Sequence, residues 1–263
     1  MLFGFKGDHD MTRRFYVYLL LIGLIGLVIG YILGNIHPLT TSEKSIELGY
    51  VGNGYTHIVD LQTGKDTNIG NPGLNTTRAS PDGAWIAAWS QEQGRWQLDI
   101  LSTSTWQRET LGAFDIYFPT LAWSPDSSEI VFAAIPEGKA NSDQNEELFF
   151  IKRETQQLQQ LTDNTYDDAQ ADFSPDGRFL AYKSSEDGFN RLYVMEVATH
   201  EHHLVTDKAF GYVPAWSPDS KQIAFSSNHE DLHGEIYVID ADGQNLRRIT
   251  HNDVSDEQPF WLP

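Results

Sequence analysis

The sequence has no cysteine. That absence excludes a disulfide scaffold, a thiolate metal site and a cysteine nucleophile. Positive charge is scarce: 18 Lys and Arg stand against 37 Asp and Glu, for a net charge of −19. The imbalance lies beyond residue 44, because Lys6, Arg13, Arg14 and Lys44 outnumber Asp8, Asp10 and Glu43 before it. So acidic a body repels phosphate backbones and argues against nucleic acid as a ligand. It suits solubility and, beyond that, a basic or cationic partner. The Gly-x-Ser-x-Gly nucleophile elbow is also missing.

Long hydrophobic runs are absent with one exception, Phe15 to Ile36, which carries no charge. Twenty-two helical residues span about 33 Å, close to the hydrocarbon thickness of a bilayer. The run is too long for the core of a cleaved secretory signal, and no small-x-small cleavage pattern follows it. We expect a cytoplasmic tail over 1–14, a transmembrane signal anchor over 15–36 and a polar tether over 37–45. Arg13 and Arg14 abut the start of the run and no Lys or Arg follows until Lys44, which puts the amino terminus in the cytoplasm and residues 37–263 outside it. Gly26, Gly30 and Gly34 share one helix face, where a second copy of the helix can approach closely to form a homodimer.

The remainder is organised by a repeat. Ala79-Ser80-Pro81-Asp82-Gly83, Ala122-Trp123-Ser124-Pro125-Asp126-Ser127, Asp172-Phe173-Ser174-Pro175-Asp176-Gly177 and Ala215-Trp216-Ser217-Pro218-Asp219-Ser220 are variants of one another. Their prolines lie 44, 50 and 43 residues apart, the period of four-stranded propeller blades. Serine, proline and a final glycine or serine suit positions i, i+1 and i+3 of a type I turn. Each turn is followed by a nearly continuous apolar run, such as Ile130–Ala134 or Ile223-Ala224-Phe225, as expected of a strand buried on both faces. A third apolar strand, a polar turn and a short polar edge strand complete each unit.

Four units are complete, over about 75–112, 117–162, 167–206 and 210–250. Residues 46–70 supply second, third and fourth strands without a first. Gln258-Pro259-Phe260-Trp261-Leu262-Pro263 aligns with Val213–Pro218 and supplies the missing strand. The expected fold is all-β: a five-bladed propeller over 46–263, closed by its C-terminal strand and preceded by the single transmembrane helix.

These tetrads, with their Ile-Ala-Phe, Ile-Tyr-Val and Arg-Ile-Thr continuations, resemble the WD40-like repeats of the TolB-type β-propeller family. The same repeat builds the propellers of prolyl oligopeptidase-like and dipeptidyl peptidase-type enzymes. The resemblance covers about 46–263 and implies the fold. TolB itself is implied to be a soluble six-bladed ring behind an α/β domain, and the peptidases carry an α/β-hydrolase domain. This sequence shows neither accompaniment.

Candidate chemistry is thin. His229-Glu230-Asp231-Leu232-His233 fits H-E-x-x-H, but it lies between two strands, where no helix can align both histidines. His200, His202 and His203 fall at a peripheral turn. We assign no catalytic residue, metal site or cofactor. The loops between blades, with those joining second to third strands, emerge on one face and are rich in aromatic and acidic residues. Tyr117, Tyr166, Asp168, Tyr212 and Asp256 are the candidate ligand-binding residues, with Asp168 and Asp256 at one repeat position. The reading is a non-catalytic, membrane-anchored scaffold on the periplasmic or extracellular side of a bacterial inner membrane, binding a protein or peptide partner. Two alternatives are a glycan- or peptide-directed hydrolase or lyase using carboxylates at the channel mouth, and an extracytoplasmic sensor subunit.

Overall fold

A computed structural model describes residues 47–52, 55–60, 66–68, 75–117, 119–138, 145–186, 188–208, 214–230 and 234–261, with side chains from residue 76 onward. The expected tail, anchor helix and tether, and the Gly26, Gly30 and Gly34 face, lie outside these residues, as does Tyr212. Among the described residues no helix is long and apolar enough to cross a membrane.

Five antiparallel sheets follow one another along the chain. The first has three strands: β1 (Glu47–Gly52), β2 (Tyr55–Asp60) and β3 (Asp66–Asn68). The second is β4 (Asn75–Ala79), β5 (Trp85–Glu92), β6 (Arg95–Ser102) and β7 (Arg108–Phe114). The third is β8 (Leu121–Trp123), β9 (Glu129–Ala134), β10 (Glu147–Lys152) and β11 (Leu158–Gln160). The fourth is β12 (Asp168–Phe173), β13 (Phe179–Ser184), β14 (Arg191–Glu196) and β15 (His202–Thr206). The fifth is β16 (Ala215–Trp216), β17 (Gln222–Ser227), β18 (Glu235–Asp240) and β19 (Arg247–Arg248). Each is a meander in which sequential strands pair.

The continuous apolar runs are explained by their two faces. In β9, Ile130, Phe132 and Ala134 pack with Trp89, Leu98 and Ile100 of the preceding sheet. Val131 and Ala133 turn the other way, onto Leu180, Tyr182 and Met195 of the following one. Ala181, Leu192 and Val194 continue the pattern against Ile223, Phe225 and Tyr237. A strand with a neighbour on each side has no polar face to offer, so period-two alternation disappears from the sequence.

The turns form as their sequence requires. Gly83, Ser127, Gly177 and Ser220 each donate a backbone N–H to the serine carbonyl three residues earlier, at 2.8–2.9 Å. All four take left-handed φ, from 60° to 72°. Each turn serine passes its hydroxyl to the aspartate two residues on, as Ser124 does to Asp126 at 2.6 Å. The same hydroxyl accepts the backbone N–H that starts the next strand, at 2.9–3.0 Å. Ser127 and Ser220 also accept the N–H of Asp82 and Asp176 on the preceding blades, both at 3.1 Å. This is why serine stands there despite its positive φ.

The C-terminal segment departs from expectation. Residues 258–261 form no strand among the described residues. Gln258 takes φ +55°, Pro259 has no N–H to pair, and Phe260 is 80% exposed. Trp261 nevertheless keeps its repeat position. Its indole N–H donates to the Ala215 carbonyl at 3.0 Å. Trp216 donates likewise to Asp172 at 3.2 Å and Trp123 to Arg78 at 3.0 Å. Three tryptophans thus step from blade to blade, each tied to the first strand before it.

Candidate functional site

Two surfaces gather the candidate residues: the face carrying the inter-blade loops, and the channel around which the first strands stand.

The loop face is stitched across blades. Tyr117 N–H donates to Glu146 Oε1 at 2.7 Å, Glu146 N–H to Asp167 Oδ1 at 3.1 Å, and Asp167 N–H to Ser185 Oγ at 2.8 Å. Four loops, two between blades and two within them, are joined by these contacts. Large apolar groups project from this face: Tyr117 and Phe189 on these loops and Val254 after β19 are each more than half exposed.

Beneath this face lies a polar knot that occurs twice. Asn164 N–H donates to Glu147 Oε1 at 2.9 Å, and Asn164 Nδ2 to Asp168 Oδ2 at 2.7 Å. Eighty-eight residues further on, Asn252 donates to Glu235 Oε1 at 3.3 Å and to Asp256 Oδ2 at 2.7 Å. In both, the asparagine Oδ1 accepts the N–H two residues later, from Tyr166 and Val254. In both, a threonine hydroxyl, Thr162 or Thr250, holds the third strand's backbone at 2.9 Å.

One difference between the copies changes the charge beside the glutamate. Arg248 reaches Glu235 at 2.7 Å, and Thr250 donates to the same carboxylate. These contacts, the Thr250 hydroxyl foremost, hold Glu235 below the usual carboxylate range. Gln160 stands where Arg248 would be and binds only the Thr162 carbonyl at 2.7 Å. Glu147 and Asp168 are each 1% exposed, and among the described residues Glu147 Oε2 and Asp168 Oδ1 have no hydrogen-bond partner. Burial pushes both carboxyls up.

Of the candidate residues, Tyr117 is exposed and Tyr166 half-buried on the loop face. Asp256 is half-buried in the second knot, whereas Asp168 is sealed within the first. Their shared repeat position is real, since both accept from the asparagine four residues earlier. Burial of Asp168 was not legible in sequence, because it depends on Glu147 of the neighbouring blade. Glu230 of the H-E-x-x-H stretch is paired with Arg248 at 3.1 Å, His229 lies against Tyr237, and residues 231–233 are outside the description. Among the described residues no three His, Asp or Glu side chains converge as metal ligands.

The channel encloses about 630 Å³. Two rungs line it. Thr76, Thr120, Gln170 and Gln258 stand four places before the turn-serine position, and Arg78, Ala122, Asp172, Ala215 and Phe260 two places before it. Thr76, Gln170 and Gln258 all take left-handed φ, between 44° and 55°. At the first two this coincides with register shifts in the first strand, which re-aim side chains inward. Asp172 is pushed up to about 7 by burial, with the Arg78 charge acting the other way.

Antiparallel meanders stacked face to face around a channel, first strands innermost, define a β-propeller. The chain belongs to the TolB β-propeller domain family, whose model matches residues 67–209. An uncharacterized protein of Agrobacterium fabrum is 24% identical over 209 residues, covering 75% of this chain and 69% of its own. The Tol-Pal system protein TolB of Francisella tularensis is 35% identical over 94 residues, which cover 35% of this chain. That match spans only 21% of the Francisella protein's length. Among solved structures, TolB from Acinetobacter baumannii superposes with a TM-score of 0.63 at 20% identity, covering 77% of this chain and 50% of that one. An oligogalacturonate lyase in complex with manganese gives 0.63 at 16% identity, covering 79% and 62%. These structural likenesses show the fold.

Proposed function

We propose that this chain is a non-catalytic, membrane-anchored scaffold whose loop face binds a protein or peptide partner outside the cytoplasm. The observation that carries the reading is the face itself, where exposed Tyr117, Phe189 and Val254 stand among acidic loops already braced by hydrogen bonds. Braced loops lose little freedom on binding, and exposed aromatics supply contact area. The net charge favours a basic segment in the partner. The Francisella relative is named for a system, and a part in a system implies partners. Asp168, sealed in its knot, cannot meet a substrate, which weakens the reading as a carboxylate hydrolase or lyase.

The anchor is residues 15–36, with the amino terminus in the cytoplasm of a bacterial cell and the propeller beyond its inner membrane. In this reading the tail also closes the ring, taking the innermost position of a fifth blade beside β1 without forming a regular strand. Photocrosslinking in intact cells tests the binding face. A photoreactive residue at Tyr117 or Val254 captures a discrete partner, whereas one at Asp242 on the opposite face does not. Equal capture from both faces, or none from the loop face, contradicts the proposal.

A further inference from the structure

Of the nine described side chains on the two channel rungs, two are charged, and they are of opposite sign. Arg78 and Asp172 occupy the same repeat position on alternate blades, with Ala122 between them. No ion pair or hydrogen bond joins their side chains among the described residues. Arg78 Nη1 donates instead to the Thr77 carbonyl at 3.1 Å. On the other rung, Gln170 Oε1 is buried with no hydrogen-bond partner among the described residues. Burying an acceptor without a donor is unfavourable, so a group that supplies one is stabilised there.

We propose that the channel is a binding site for a small zwitterion, a free amino acid or a molecule with the same pair of end groups. The ammonium sits between the Asp172 carboxylate and Gln170 Oε1, and the carboxylate faces the Arg78 guanidinium. A lone cation that satisfies Asp172 is opposed by Arg78, and a lone anion on Arg78 is opposed by Asp172. Only a dipolar ligand meets both. Ala122, Trp123, Pro214, Pro259 and Phe260 are among the apolar residues that line the rest of the cavity and leave room between the charges. The volume lies within the range of small-molecule sites. This site is separate from the loop face and stands or falls independently of it.

The test is isothermal titration of the full-length chain with glycine, β-alanine, 5-aminovalerate and glycylglycine, a series in which the charges move apart. Acetate and methylammonium, alone and together, are the controls. At least one zwitterion binds with Kd below about 1 mM and the controls do not. Arg78→Gln and Asp172→Asn each weaken that binding about tenfold or more while leaving the circular dichroism spectrum unchanged. Below pH 7 the binding releases a proton, read as a dependence of the heat on buffer ionisation enthalpy. The proposal is overturned if no member of the series binds the unsubstituted chain, if the controls bind equally well, or if the folded variants bind like the parent.

Discussion

In each of the four Ser-Pro-Asp turns, one serine hydroxyl donates to an aspartate and accepts the N–H that opens the next strand. The hydroxyl, chiefly, holds Asp82, Asp126 and Asp219 below the usual carboxylate range, and at Asp176 it does so against a larger desolvation cost. A carboxylate whose folded pKa is depressed contributes stability above its unfolded pKa and loses it as pH falls through the folded one. Ser124→Ala therefore costs about 1–2 kcal/mol near neutral pH, and the cost shrinks below about pH 4. Denaturant unfolding at the two pH values checks this. Asp172 runs the opposite way: with a folded pKa about 7 it holds its proton after the unfolded chain has released one, so stability falls as pH rises from about 4 to about 7. Arg78 is the charged group that faces it across the channel. Asp172→Asn is accordingly neutral near pH 4 and raises Tm increasingly up to pH 7, levelling off above. The turn aspartates were legible as structural from their neighbours in sequence. The shift at Asp172 was not, because nothing local distinguishes a residue that faces a channel from one that faces bulk water.

Among the elements, the two polar knots form a natural comparison. Glu235 has Arg248 as a counter-charge, while Glu147, with Gln160 in the corresponding place, has none there. A buried carboxylate without a cation is the costlier arrangement. Gln160→Arg restores the pattern of the second copy and raises Tm at pH 8 more than at pH 5, because the elevated Glu147 carboxyl carries less charge to pair with at the lower pH. Thermal unfolding at the two pH values measures the difference, and an equal shift at both contradicts the assignment. Strand identity was legible here: the apolar runs of the four complete units became second or third strands, because burial on both faces leaves a plain signature. The knots were hidden, because Asn164 joins a glutamate 17 residues before it to an aspartate four residues after it, across two blades. Only the repeated spacing of Asp168 and Asp256 hinted at them.

For the molecule as a whole, Trp261 continues the tryptophan ladder, and Gln258 and Phe260 continue the two channel rungs. The repeat period disclosed that order, but not the form the tail would take. Pro259 and the left-handed Gln258 keep residues 258–261 out of a strand, although Trp261 still bonds to Ala215. The register of the complete blades says what should lie opposite. Arg78 pairs with Ala87, Ala122 with Val131, Asp172 with Ala181 and Ala215 with Ala224. Ala224 pairs with Val238 as Gly49 pairs with Ile58, one place from Ile223–Ile239 and Leu48–Val59 respectively. Phe260, in the column of Ala215, therefore belongs beside Gly49.

A cysteine-free chain makes the closing measurement simple, since the only thiols are those introduced. Gly49→Cys with Phe260→Cys is oxidised beside a reference pair, Ala215→Cys with Ala224→Cys, from the same column of a complete blade. A ring closed by its tail gives an intramolecular disulfide in both variants, detected by mass and by a mobility shift on reduction. A disulfide in the reference pair alone would contradict closure of the ring by residues 258–263.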